Sequence, residues 1–144
     1  MYRSFFKCFA QYFFLLVFTC VFQYASGQSV DDKAKAVINN LLENYYNTLS
    51  DRDWPEFKEL FCDEGTLTTI WQEPTDSIPE IYVNTISSFI AKAKDGPDSQ
   101  PVFEEKMLSA DIDVRNNLAQ AWVKYEAKFG TDDNLYEWKG MDLF

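Results

Sequence analysis

Histidine is missing from all 144 residues. That single absence excludes Ser-His-Asp triads, Cys-His dyads and His-ligated zinc. Basic side chains are also few: 13 Lys and Arg stand against 23 Asp and Glu, leaving a net charge of −10. A surface of that sign repels phosphate backbones, so no nucleic-acid partner is expected. Apolar runs are short. The uninterrupted stretch Tyr12–Phe22 is eleven residues long, bounded by Gln11 and Gln23, whereas a bilayer span needs about 20. What remains, 25% charged and 47% hydrophobic residues, suits one globular domain without repeats or linkers.

The composition is uneven along the chain. Residues 1–27 contain seven Phe and three Tyr and no acid, while residues 28–144 carry 11 basic and 23 acidic side chains, a net charge of −12. Arg3 and Lys7 precede the apolar stretch, and Ala25-Ser26-Gly27 follows it. That order is a secretory signal peptide, with cleavage expected between Gly27 and Gln28 and a periplasmic or extracellular mature protein free of the membrane. Residues 28–144 form the domain. Cys8 and Cys20 leave with the leader, so Cys62 is the one mature thiol and no internal disulfide can form. Following Leu60-Phe61, it is expected to be buried and inert.

Hydrophobic spacing gives the elements. Ala34, Val37, Ile38, Leu41, Leu42, Tyr45 and Leu49 recur at helical intervals, predicting an amphipathic helix over 30–50. Asp53, with Pro55 and Glu56 behind it, caps a short second helix bearing Trp54, Phe57, Leu60 and Phe61. Thr66–Trp71 is β-branched and reads as a strand, and 73–76 as a loop. Ser77-Ile78-Pro79-Glu80 repeats the cap logic, predicting a third helix through Ile81, Thr85, Ile86, Phe89, Ile90 and Ala93. Beyond a stop at 95–98 the pattern alternates. Leu108, Ala110, Ile112 and Val114 share one strand face; Ala119, Ala121, Val123, Tyr125, Ala127 and Phe129 share the face of a longer strand; residues 135–144 begin another.

Helix, short helix, strand, helix and then a strand meander is the order of the nuclear transport factor 2-like superfamily. The segments Tyr45-Tyr46-Asn47-Thr48-Leu49, Asp53-Trp54 and Phe57 to Gly65 resemble the helical opening of its SnoaL-like members. Asn117 to Tyr125 is similar to their central strand, and Gly140-Met141-Asp142-Leu143-Phe144 to the start of their next-to-last one. The resemblance implies an α+β fold: a cone-shaped curved antiparallel sheet packed against three helices. Members continue past the last motif into a further strand, so the domain is expected to be C-terminally truncated.

Within the superfamily, ketosteroid isomerase uses a carboxylate base with a Tyr and a neutral Asp as oxyanion donors. The resemblance puts Tyr45 at the tyrosine position and Asp142 at the aspartic acid position. The base position falls on Thr69, which cannot abstract a carbon-bound proton near neutral pH. The expectation is therefore a non-catalytic domain that binds a small, largely apolar molecule, with no cofactor and no metal. Its lining is expected from Tyr45, Trp71, Tyr125, Phe129, Trp138 and Asp142, around room left by Ala119, Ala121 and Ala127. The alternative is an isomerase or dehydratase acting on a polyketide- or steroid-like carbonyl compound, with its base at an unaligned position such as Asp111. A third reading is an interaction module, a homodimer joined through the outer sheet face around Trp122. Asp132-Asp133-Asn134 lacks the ligand alternation of a calcium loop and reads as a polar turn.

Overall fold

The computed structural model describes residues 31–72 and 77–144. The leader and its cleavage site, and the loop at 73–76, lie outside the described residues. The first helix, α1, covers 31–51 and ends where Arg52 turns left-handed at φ 60°. Asp53 then caps α2 (Trp54–Glu59), its carboxylate accepting the Glu56 amide at 3.2 Å, with Pro55 in the first turn where no amide is needed.

β1 (Thr66–Trp71) pairs antiparallel with β2 (Glu80–Thr85), in register from Thr66 opposite Thr85 to Trp71 opposite Glu80. This corrects the expected third helix over 81–93, whose first half is strand. Ile81, Val83 and Thr85 are β-branched and alternate, and the ladder with Thr66–Trp71 satisfies the backbone that a helical turn would otherwise satisfy. The helix begins only where Thr85 can cap it, with Oγ1 accepting the Ser88 amide at 3.1 Å, and α3 runs Ile86–Lys92. Two 3-10 turns, Ala93–Asp95 and Pro97–Ser99, lead into the second sheet.

That sheet is antiparallel, in the order β3-β4-β5, from β3 (Val102–Arg115), β4 (Leu118–Thr131) and β5 (Asn134–Leu143). Asn116 at φ 57° makes the tight β3–β4 turn. The Thr131 hydroxyl accepts the Asn134 amide at 3.2 Å in the next. The fold is thus α+β, with three α-helices and two antiparallel sheets among the described residues.

β3 carries a bulge between Met107 and Ser109 that leaves Leu108 outside the ladder. An extra residue reverses strand parity. Phe103, Glu105 and Met107 face inward before the bulge, and Ala110, Ile112 and Val114 after it. Leu108, expected on the inner face, is instead 46% exposed.

Two apolar clusters make the core. In one, Leu42 and Tyr46 of α1 lie on Ala121 and Val123 of β4, joined by Ile38, Met107, Ala110, Ile112 and Tyr125. In the other, Leu49, Phe57 and Ile86 gather Trp54, Phe61, Leu67 and Phe89. Tyr45 belongs to both. The sheet meets a narrower arc of α1 than the apolar residues span, so Val37 and Leu41 remain exposed and Tyr46, left out of the sequence stripe, is buried. Cys62 is exposed as well, contrary to expectation. Past the end of α2 the chain turns, and Phe61 takes the inward position against Phe57 and Tyr45.

Candidate functional site

The polar centre of the molecule forms where α1 crosses the sheet. Tyr46, one residue beyond the tyrosine singled out from sequence, donates from Oη to Asp142 Oδ2 at 2.5 Å. Its position follows from α1 packing, since Leu42 and Tyr46 are one turn apart on the buried face. Asp142 shares the inward parity of β5 with Trp138 and Gly140. Burial raises its pKa above the ordinary carboxylate value, while the Tyr46 bond pulls it down.

Glu105 is the second carboxyl. It sits on the inner face of β3 before the bulge, and its backbone is clamped to α1. The Ser50 hydroxyl donates to its carbonyl and accepts from its amide, both at 2.8 Å. Burial first, and the charge of Asp142 second, push the Glu105 pKa up to about 7. No Lys or Arg among the described residues pairs with either carboxyl; the ion pairs join Arg52 to Asp98, Arg115 to Asp113 and Lys128 to Glu104.

Aromatic rings enclose the pair. Tyr45 meets Tyr46 and Phe144 edge-on, each with centroids 5.0 Å apart. Tyr46 lies 6.1 Å from Tyr125 and 6.5 Å from Phe144. Burial holds the phenols of Tyr45, Tyr46 and Tyr125 protonated, each raised further by Asp142 and Glu105. Trp138 bonds the Tyr125 oxygen, and Trp71 stands edge-on to Trp138 at 5.6 Å. Gly140 makes this layout possible: a Cβ there would come within 2.3 Å of the Tyr125 ring, which lies across the strand.

Compared with protein-family models, curated proteins and solved structures, the chain matches none.

Of the residues named from sequence, Tyr45, Tyr125, Trp138 and Asp142 therefore converge, and Trp71 joins through Trp138. Phe129 is drawn elsewhere, to Phe103 at 6.5 Å. Thr69 is exposed on the first hairpin. Asp111 faces away from the acid pair, opposite Trp122 in the register, so it cannot supply a base to the interior. Ala121 and Ala127 are buried as the small-residue stripe requires, but Ala119 is exposed near the β3–β4 turn.

Sequence reasoning missed Tyr46 and Glu105. The signal for Glu105 was there, because Phe103, Glu105 and Met107 alternate; the bulge hid their agreement with Ala110 and Ile112. Open clefts lie outside this centre among the described residues. One, about 480 Å³, runs between Asn39 and Asn40 of α1 and Asp111 of β3. Another, about 530 Å³, lies beside Trp138 among Glu126, Lys128, Glu137 and Lys139.

Proposed function

We propose that the domain binds a small, largely apolar molecule between α1 and the three-stranded sheet, as a SnoaL-like domain would, with its polar end at Tyr46, Asp142 and Glu105. One observation carries the reading: a hydrogen-bonded Tyr46–Asp142 pair and an unpaired inward carboxyl share an interior otherwise lined by rings and Ala121. A fold gains nothing in stability by burying two carboxyls without cations, which argues that they are kept for recognition. Native mass spectrometry of the full-length protein is the test. A co-purifying small molecule, lost when Tyr46→Phe and Asp142→Asn are combined, is expected. A ligand-free spectrum, together with no thermal shift from apolar alcohols or ketones, would refute it.

The catalytic alternative draws on Glu105. A carboxyl with a pKa of about 7 is poised as a general base at neutral pH, which Thr69 is not. Tyr46 and Asp142 would then stabilise an enolate, in an isomerase or dehydratase acting on a carbonyl compound. Solvent-deuterium exchange into a β,γ-unsaturated ketone, abolished by Glu105→Gln, is the expected sign. No exchange with the unsubstituted protein would dismiss this alternative.

A further inference from the structure

β3 is an edge strand. β4 pairs with one side of it, and no strand among the described residues pairs with the other. The open side can be assigned residue by residue. Ala121 and Phe144 exchange both backbone hydrogen bonds at 3.0 Å each, so the N–H and C=O of Ala121 point towards β5. The Ile112–Ala121 pair of the β3–β4 ladder is therefore of the non-bonded kind, and the N–H and C=O of Ile112 point to the open edge. The period of two extends this to Ala110, opposite Val123, and leaves the ladder bonds to Asp111. Ala110, Asp111 and Ile112 wall the cleft of about 480 Å³, faced by Lys35, Asn39 and Asn40 of α1. Two backbone donor–acceptor sets, about 7 Å apart, thus stand along one side of a groove between a helix and a strand.

We propose that this groove binds an extended peptide of another protein as an added strand on β3, with Lys or Arg at every second residue. The peptide backbone bonds to the N–H and C=O of Ala110 and Ile112, and its side chains alternate between two settings. One set stands on the outer sheet face beside Asp111 and Asp113. Asp113 is paired with Arg115 at 3.1 Å, while Asp111 has no ion pair among the described residues, so this side takes the cations. The other set faces α1, where Lys35 and the amides of Asn39 and Asn40 suit small hydroxyl side chains and repel a second cation. The bulge at Leu108 interrupts the edge just before Ala110, which confines the added strand to the stretch ending at Arg115. The excess of 23 acids over 13 bases draws a basic peptide in. The groove lies apart from the interior acids and does not depend on a ligand there.

Three synthetic octapeptides test this on the full-length protein: alternating Thr and Lys, alternating Thr and Glu, and the Thr-Lys peptide N-methylated at every Thr. In fluorescence anisotropy the Thr-Lys peptide is expected to bind at least about tenfold more tightly than either of the others. The variant Asp111→Lys, at an exposed position, should fold normally and bind the Thr-Lys peptide at least about tenfold more weakly. In amide hydrogen exchange followed by NMR, Ala110 and Ile112 should exchange fast in the free protein and become protected when the Thr-Lys peptide is added. Equal binding of the N-methylated peptide would mean charge attraction without strand pairing and would overturn the proposal. Equal binding of the Thr-Glu peptide, or no binding at millimolar concentration, would overturn it too. Protection of Ala110 and Ile112 before any peptide is added would show the edge covered by the chain's own residues or by a second copy, and the proposal would fall.

Discussion

Replacing Glu105 by Gln should stabilise the protein, and only above a definite pH. The Ser50 hydroxyl holds the Glu105 amide and carbonyl at 2.8 Å each, which fixes its Cβ on the inner face of β3. Its carboxyl, ordinarily at 4.5, is at about 7 in the folded chain. The native state therefore holds this proton more tightly than the unfolded chain does. Stability associated with the protonated acid is fully present below pH 4.5 and is lost as the pH rises through 7. A displacement of that size corresponds to about 3 kcal/mol, a large part of the total for a small domain. Glutamine keeps the shape and cannot ionise. Urea denaturation from pH 4 to 8 should show the two proteins equal at the acid end. At pH 8 the variant should be more stable by about 3 kcal/mol, on the order of 10 °C in melting temperature. Parallel profiles, or a variant weaker at pH 8, would mean that Glu105 is charged and partnered, and the description of the acid pair would fail.

Tyr46→Phe removes the 2.5 Å bond to Asp142 and should cost about 1.5–3 kcal/mol in neutral urea denaturation, as expected for a hydrogen bond to a charged group. The Asp142 carboxyl should then titrate at higher pH, readable by NMR. Cys62, being exposed, should react with iodoacetamide in the native protein as fast as in an unfolded control; strong protection in the mass spectrum would contradict its position. On the outer sheet face Trp122 stands opposite Leu143, with Met141 two pairs away, and Trp122, Leu143 and Met141 are 47%, 56% and 56% exposed. We expect a homodimer through this face, so light scattering should give twice the chain mass for the mature protein and the monomer mass for Trp122→Glu.

Periodicity was legible wherever one side of an element is buried and the other is wet. The Leu42 and Leu49 positions of α1 and the Ala121-Val123-Tyr125-Ala127 face of β4 follow from it, and the Asp53 cap follows from its own side-chain chemistry. It failed where that contrast is weak. β2 has Ile81, Tyr82 and Val83 exposed, so its pattern resembles the start of a helix as much as a strand, and only pairing with β1 decides. Tyr45 and Tyr46 are adjacent, and 100° of helix rotation separates a residue packed between two clusters from one that bonds Asp142. No local signal distinguishes them, because the difference depends on where β5 passes. Cys62 was misjudged because a helical pattern was extended past the residue at which α2 stops.

Leu108 contributes little surface to the core, yet it determines which charge enters it. With the extra residue in place, Glu105 points inward and Glu104 and Lys106 point to solvent. Deleting Leu108 would leave Met107 and Ser109 opposite the consecutive partners Tyr125 and Lys124, closing the bulge with Glu105 still inward. Pairing Leu108 within the ladder, while the strand beyond keeps its partners, would instead rotate the first half of β3 by one face. The interior acid would then be exchanged for its two neighbours. That exchange would replace a lone acid by one acid and one base, a neutral pair. The polarity of this interior therefore depends on Leu108 staying outside the ladder.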